Sequence, residues 1–160
     1  MATMYVGVIP ENGIKPDLKS TAKSDVIEEL LDVLVAGGYV TDREGVLQAL
    51  FDREAQGSTA VGRGVAFPHC KTEGVRELAT AFGRSVEGIE FGAEDGKPVH
   101  LFFLMVAPPG KSGPHVKALG RLAKLVADHD CCKELFSADT VERVVRVLTA
   151  APEGKMKAEG

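Results

Sequence analysis

The sequence predicts an α/β protein, a mixed layer fold in which strands and helices share a core, and three observations carry that prediction. Leu78 to Arg84 and Val99 to Val106 have the length and the aromatic and β-branched content of strands, the second apolar enough for a central position. Amphipathic stretches of helical period precede and follow them. Turn signals built from glycine and proline separate the elements, and neither an internal repeat nor an inter-domain linker is visible. At 160 residues the chain fits one domain, able to bury roughly 68 to 70% of its unfolded surface.

Taken in order, Met4 to Pro10 reads as a short strand or an ordered leader, and Gly13-Ile14-Lys15-Pro16 as a turn. Asp25 with Glu28 has the spacing of a capping box. Val26, Leu30, Leu31, Leu34 and Val35 then share the inward side of a first helix that ends at Gly37-Gly38. Thr41 with Glu44 repeats the capping signal and opens a second helix, with Val46, Leu47, Leu50 and Phe51 inward and Arg53 at its C-terminal end. Val65 to Phe67 is apolar and strand-like. Pro68 fixes φ and cannot donate to a ladder, so it marks the strand end and leaves His69 on the rim of a sheet.

Between the two long strands, Gly88 to Pro98 is a loop or short hairpin. His115 to Asp128 is a third helix with Leu119, Leu122, Ala123 and Val126 on one face. Cys131 to Phe136 forms a short turn of helix, and Asp139 or Thr140 caps a last helix through Leu148. The domain spans 1–150. The polar tail 151–160 is expected to be flexible.

Net charge is −4 and pI about 5.6, with lysine and arginine distributed along the chain. This disfavours nucleic acid or an anionic membrane as a partner. The longest apolar run, Leu101 to Ala107, is far short of the ~20 residues of a membrane helix, so no direct membrane insertion is expected. Three cysteines without a signal peptide fit a reducing cytoplasm.

An imidazole fixed on a sheet rim suits a nucleophile, an acid or base, or a metal ligand, because its pKa lies near neutrality and one ring nitrogen is a lone pair. The plainer alternative for His69 is a histidine capping a strand. Cys70, one residue along an extended chain, points to the opposite face. His115 follows the loop Pro108 to Pro114 and opens a helix, where unpaired N–H groups and the positive dipole end favour an anion. A first-turn histidine beside solvent is the alternative there.

Gly62-Arg63-Gly64 lacks the spacing of a P-loop or a dinucleotide fold and reads as a tight turn. His100 interrupts an apolar run, and His129 is read as lying at a helix end. A zinc site from His69, His115 and Cys70 lacks paired short ligand spacing, so neither metal nor cofactor is expected.

The string Phe51-Asp52-Arg53-Glu54-Ala55, then Ser58 to Gly64, then Val65-Ala66-Phe67-Pro68-His69, resembles one signature. It is that of the type 2 EIIA family of the phosphoenolpyruvate-dependent phosphotransferase system, the fructose, mannitol and nitrogen-related branch. The resemblance continues through Glu87 to Phe91, Asp95 to Val99, Leu101 to Pro108, and His115 with Leu119, Leu122 and Leu125, and covers most of the chain. Val116 stands where leucine is common, a change of packing.

The resemblance implies a single-layer mixed β-sheet flanked by helices, and a phosphoryl group accepted by His69. His115 would lie beside it, donating to the phosphate or orienting the His69 imidazole, and Arg53 would help hold the phosphate, with the Ser58 and Thr59 hydroxyls as further donors. Phosphoryl transfer is largely positioning plus charge stabilisation, and the guanidinium fork of Arg53 matches phosphate oxygens two at a time. Local turn chemistry is the alternative for Ser58 and Thr59.

The implied donor is an HPr-type phosphocarrier protein and the implied acceptor an EIIB-type protein or a regulatory target, with Phe67, Val61 and the Gly110 to Pro114 loop as candidate contacts. Two other readings stand beside sugar phosphotransfer. One is a regulator whose phosphorylation state controls a target, which the length of the chain, without EIIB, EIIC or HPr portions, favours. The other is an anion-sensing module of the same fold.

Overall fold

The computed structural model describes residues 3–110 and 112–150, with side chains described for 3–110 and 113–150. The tail 151–160, Lys111 of the loop before His115, and the first two residues lie outside them. The elements are β1 (Met4–Tyr5), β2 (Ile9–Pro10), a 3-10 turn (Glu11–Gly13), β3 (Ile14–Lys15), α1 (Lys23–Ala36), α2 (Arg43–Ala55), β4 (Ala60–Gly62), β5 (Val65–Ala66), β6 (His69–Lys71), β7 (Ala79–Ile89), β8 (Val99–Ala107), α3 (Ser112–Ala127), α4 (His129–Ser137) and α5 (Val141–Ala150).

β1 and β2 form a small antiparallel hairpin, while the other strands make one six-stranded sheet in the order β3-β7-β8-β5-β4, with β6 also on β8. The sheet is mixed because β8 pairs antiparallel with β7 and parallel with β5 and β6. One core, under α3, α4 and α5, holds Phe82, Phe103, Leu122, Leu125 and Leu148. The other, under α1 and α2, holds Leu30, Leu31, Leu34, Leu50, Phe102 and Leu104. β8 is buried on both faces, which is why its sequence is apolar without alternation.

The strand of Val65 ends before Pro68, yet its register on β8 continues beyond the proline. Val65 pairs with Leu101, Ala66 with Phe102, His69 with Met105 and Cys70 with Val106, so β5 and β6 keep one register on β8 across the proline. Pro68 withholds a donor, yet its carbonyl still accepts from the Met105 amide at 2.9 Å. His69 therefore opens a second short strand.

Other boundaries differ from the sequence reading for local reasons. The segment Gly13 to Pro16 is not a turn, because Ile14 and Lys15 pair in parallel with Phe82 and Gly83. α1 starts two residues before Asp25, with Ala22 at its N-cap and no side-chain cap. Glu28 instead pairs with Arg43 at 3.0 Å. Asp42 rather than Thr41 caps α2, accepting from the Gly45 amide at 3.1 Å, while the Thr41 hydroxyl donates to the Gly74 carbonyl.

On α3, Ala118, Leu122, Leu125 and Val126 are buried and Ala123 is outward. Asp128 caps α4 through the Cys131 amide, so His129 begins a helix rather than closing one. Thr140 caps α5 by accepting from the Arg143 amide at 3.1 Å. Among the described residues no helix is long and apolar enough to cross a membrane.

Candidate functional site

The unbroken register across Pro68 decides where His69 points. Val65 and Phe67 face the α3 side and Ala66 and Cys70 the α1–α2 side, so alternation turns the His69 ring toward α3. Its Nδ1 lies 2.8 Å from the Phe67 carbonyl oxygen. A carbonyl can only accept, so Nδ1 carries the proton and Nε2 is left with the lone pair.

His115, in the first turn of α3, meets this ring edge-on, with centroids 5.6 Å apart and planes at 81°. It is buried, at 4% exposure, rather than beside solvent. Burial first, then coulombic repulsion from His69 and Lys71, lowers the His115 pKa and favours its neutral form. Its Nε2 is buried and has no hydrogen-bond partner among the described residues.

Arg53 is half-buried in the last turn of α2, the helix that packs on β6. Its Nη1 donates to the Gly57 carbonyl at 2.9 Å, which leaves most of the guanidinium fork for another acceptor. The Thr59 carbonyl accepts from the Phe67 amide at 3.0 Å, placing that backbone across from the Pro-His element. The hydroxyls of the Ser58-Thr59 pair are committed within the protein. Ser58 donates to the Phe91 carbonyl at 2.7 Å, and Thr59 donates to Glu54 Oε1 at 2.7 Å.

Glu54 is the residue that sequence reasoning passed over. It is buried, pairs with Lys23 at 3.1 Å, and also accepts from the Thr59 amide at 2.8 Å. The signal was present: Val46, Leu50 and Glu54 recur every fourth residue on the inward row of α2, and a carboxylate on a buried row must be partnered.

Other candidates separate from the pair. Cys70 lies on the opposite face, where burial pushes its thiol up to about 12, so His69, His115 and Cys70 do not converge. His100 sits near the other end of β8, its Nδ1 donating to the Ser85 carbonyl at 2.9 Å. His129 is exposed at the start of α4. Arg63, with φ 57 between two glycines of positive φ, occupies the expected tight turn. Val61 and Val116 are exposed apolar side chains, whereas Phe67 is no surface contact because it stacks on Phe103 in the core.

The family described as the phosphoenolpyruvate-dependent sugar phosphotransferase system, EIIA 2, matches residues 8–151. The chain belongs to this family. A fructose-specific EIIA component from Haloferax volcanii is 38% identical over 131 residues, covering 82% of this chain and 85% of that protein. A nitrogen regulatory protein from Bradyrhizobium diazoefficiens is 37% identical over 145 residues, covering 91% and 94%. The chain spans only 22% of the fructose-specific EIIABC component of Bacillus subtilis, to which 88% of it aligns at 36% identity.

Among solved structures, the nitrogen regulatory protein IIA-Ntr from Neisseria meningitidis superposes with TM-score 0.82 at 33% identity, over 90% of this chain and 98% of that one. The mannitol IIA of Escherichia coli, solved in complex with phosphorylated IIB, gives TM-score 0.76 at 25% identity over 88% and 96%. As an EIIA type 2 domain the chain is a component of phosphotransferase type, and the mixed sheet flanked by helices is the EIIA type 2 fold.

Proposed function

We propose that the protein is a phosphohistidine carrier, taking a phosphoryl group on His69 from an HPr-type protein and passing it to an EIIB-type acceptor. The observation that carries this reading is the 2.8 Å contact between His69 Nδ1 and the Phe67 carbonyl oxygen. With Nδ1–H held by the Phe67 carbonyl, the Nε2 lone pair is available to attack phosphorus in line.

As the Nε2–P bond forms, the N–P bond of the donor's phosphohistidine breaks and its electron pair returns to the donor ring. The His69 ring becomes cationic, and the Nδ1–H···O=C bond strengthens as that charge develops. The neutral His115 adds no repulsion to that cation, and with its unsatisfied Nε2 it is a donor candidate for a phosphoryl oxygen. Arg53 supplies the remaining positive charge. Ser58 and Thr59 act through the loop they tie down, with Thr59 reaching phosphate only if its hydroxyl leaves Glu54.

A second reading, favoured by the nitrogen regulatory relative at 37% identity, keeps the phosphohistidine and uses it to control binding of a target protein rather than sugar uptake. An anion-sensing module that is never phosphorylated is the third. The test is incubation with phosphoenolpyruvate, enzyme I and an HPr-type carrier, followed by intact-mass measurement at alkaline pH. Wild type should gain one phosphate, His69→Ala none, and His115→Ala or Arg53→Ala should gain it about a hundredfold more slowly. No gain in wild type with several competent donors would overturn the carrier reading.

A further inference from the structure

A second cleft lies at the other end of the sheet from the histidine pair. Met105 is the register partner of His69, while His100 lines this cleft, five residues or ~16 Å away along β8 at strand rise. α3 spans the same interval, from His115 to Val126, whose carbonyl accepts from Arg63 Nη2 at 3.5 Å. The cleft measures about 530 Å³, within the range of small-ligand sites.

Its charge is one-sided. Arg63 from the β4–β5 turn, Lys97 from the β7–β8 connection and Lys133 from α4 converge on it, all exposed, and no carboxylate lines it among the described residues. Asp95, which lies outside the lining, turns its two oxygens to the amides of Arg63 and Lys97, each at 3.0 Å. For a chain of net charge −4, three cations around one cleft amount to a local reversal of sign.

The Phe136 ring, Pro98 and Cys132 give the cleft an apolar wall, with His129 also in the lining. His100 stands edge-on to Phe136 at 5.6 Å, and because its Nδ1 donates to Ser85, its Nε2 is an acceptor. The backbone keeps this space open. A Cβ at Gly64 would meet Phe136 Cζ at 3.1 Å.

An occupant that satisfies all of these groups carries an anion for the cations, a flat apolar body for the Phe136 wall, and an N–H or O–H for His100. We propose that this cleft binds a mononucleotide, its phosphate between Lys97, Arg63 and Lys133 and its base against Phe136 and His100. A sugar phosphate would meet the cations but leave the aromatic wall in water, and a simple anion would use neither wall nor acceptor.

The test is an amide NMR titration of the isotope-labelled full chain with AMP, run beside ribose 5-phosphate and inorganic phosphate. The expected result is saturable shifts at Arg63, Gly64, Lys97, His100 and Lys133 with AMP, and affinity about tenfold weaker for ribose 5-phosphate. The double variant Lys97→Ala, Lys133→Ala should keep a dispersed spectrum, since both side chains are exposed, and lose the AMP shifts. Absence of saturable AMP shifts, equal affinity for AMP and ribose 5-phosphate, or undiminished affinity in the double variant would each overturn the proposal. The readout involves no phosphoryl transfer, so it stands or falls apart from the role of His69.

Discussion

At the scale of single residues, the candidate site turns on two imidazoles in different protonation environments. His69 is half-buried and held by one carbonyl, whereas His115 is buried and leaves a nitrogen unsatisfied. His69 and His115 were legible as candidates because proline and glycine punctuate the sequence there, and Arg53 only through the resemblance to the family signature. The tautomer was not, since it depends on the Phe67 carbonyl turning back toward the ring of the residue two ahead. The partners of Ser58 and Thr59 were hidden for a similar reason: Phe91 and Glu54 reach them through tertiary packing. Folding lowers the His115 pKa, so as pH falls the unfolded chain takes up that proton before the folded one does. The neutral ring's contribution is therefore complete above the ordinary histidine value of about 6.5 and is lost on acidification below it. Wild type should lose more Tm than His115→Gln between about pH 7.5 and about pH 5.5, as read by thermal denaturation. Parallel Tm curves would show that this imidazole titrates alike in both states.

At the scale of elements, what was legible followed periodicity and what was not followed pairing. The unbroken apolar run of β8 and the inward rows of α1 and α2 announced themselves, because burial on both faces or on one stripe leaves a pattern many residues long. Ile14–Lys15 could not, since two residues carry no period and their strand exists only through a parallel pairing with β7. The same pairing logic carries the register of β5 into β6 beyond Pro68, although β5 itself ends before the proline, as sequence rules mark. Gly83 shows how tightly one helix is seated on this sheet: a Cβ there would come within 2.7 Å of Leu30 Cδ2 and 2.9 Å of Leu18 Cδ1, both side chains being buried. Gly83→Ala should therefore push α1 and the Leu18 segment off β7 and cost ~1–3 kcal/mol, as overpacking does. A urea titration reads this as a lower midpoint at unchanged slope. A midpoint equal to that of wild type would mean that Leu30 and Leu18 repack at no cost.

At the scale of the molecule, one sheet separates two cores and β8 belongs to both. Phe103 and Met105 enter the α3–α5 side, while Phe102, Leu104 and Val106 enter the α1–α2 side. Neither layer can leave without exposing one face of β8, so the two layers are expected to unfold together. The connection matters for the candidate site, because His69 stands on the first face with His115, while α2, which carries Arg53, packs from the second. Cys70 reports on the second layer. Its thiol is buried in the α1–α2 core and pushed up to about 12 by that burial, so in the native state it is neither exposed nor a thiolate. Site-resolved maleimide labelling in rising urea should therefore leave Cys70 unmodified until the far-UV circular dichroism transition begins, and then modify it with the same midpoint and slope. Half-buried Cys131 serves as the internal comparison, expected to label at lower urea. Labelling of Cys70 at urea concentrations where the helical signal is intact would show that α1 and α2 open by themselves. Arg53 would then reach the site from a layer that moves independently of His69.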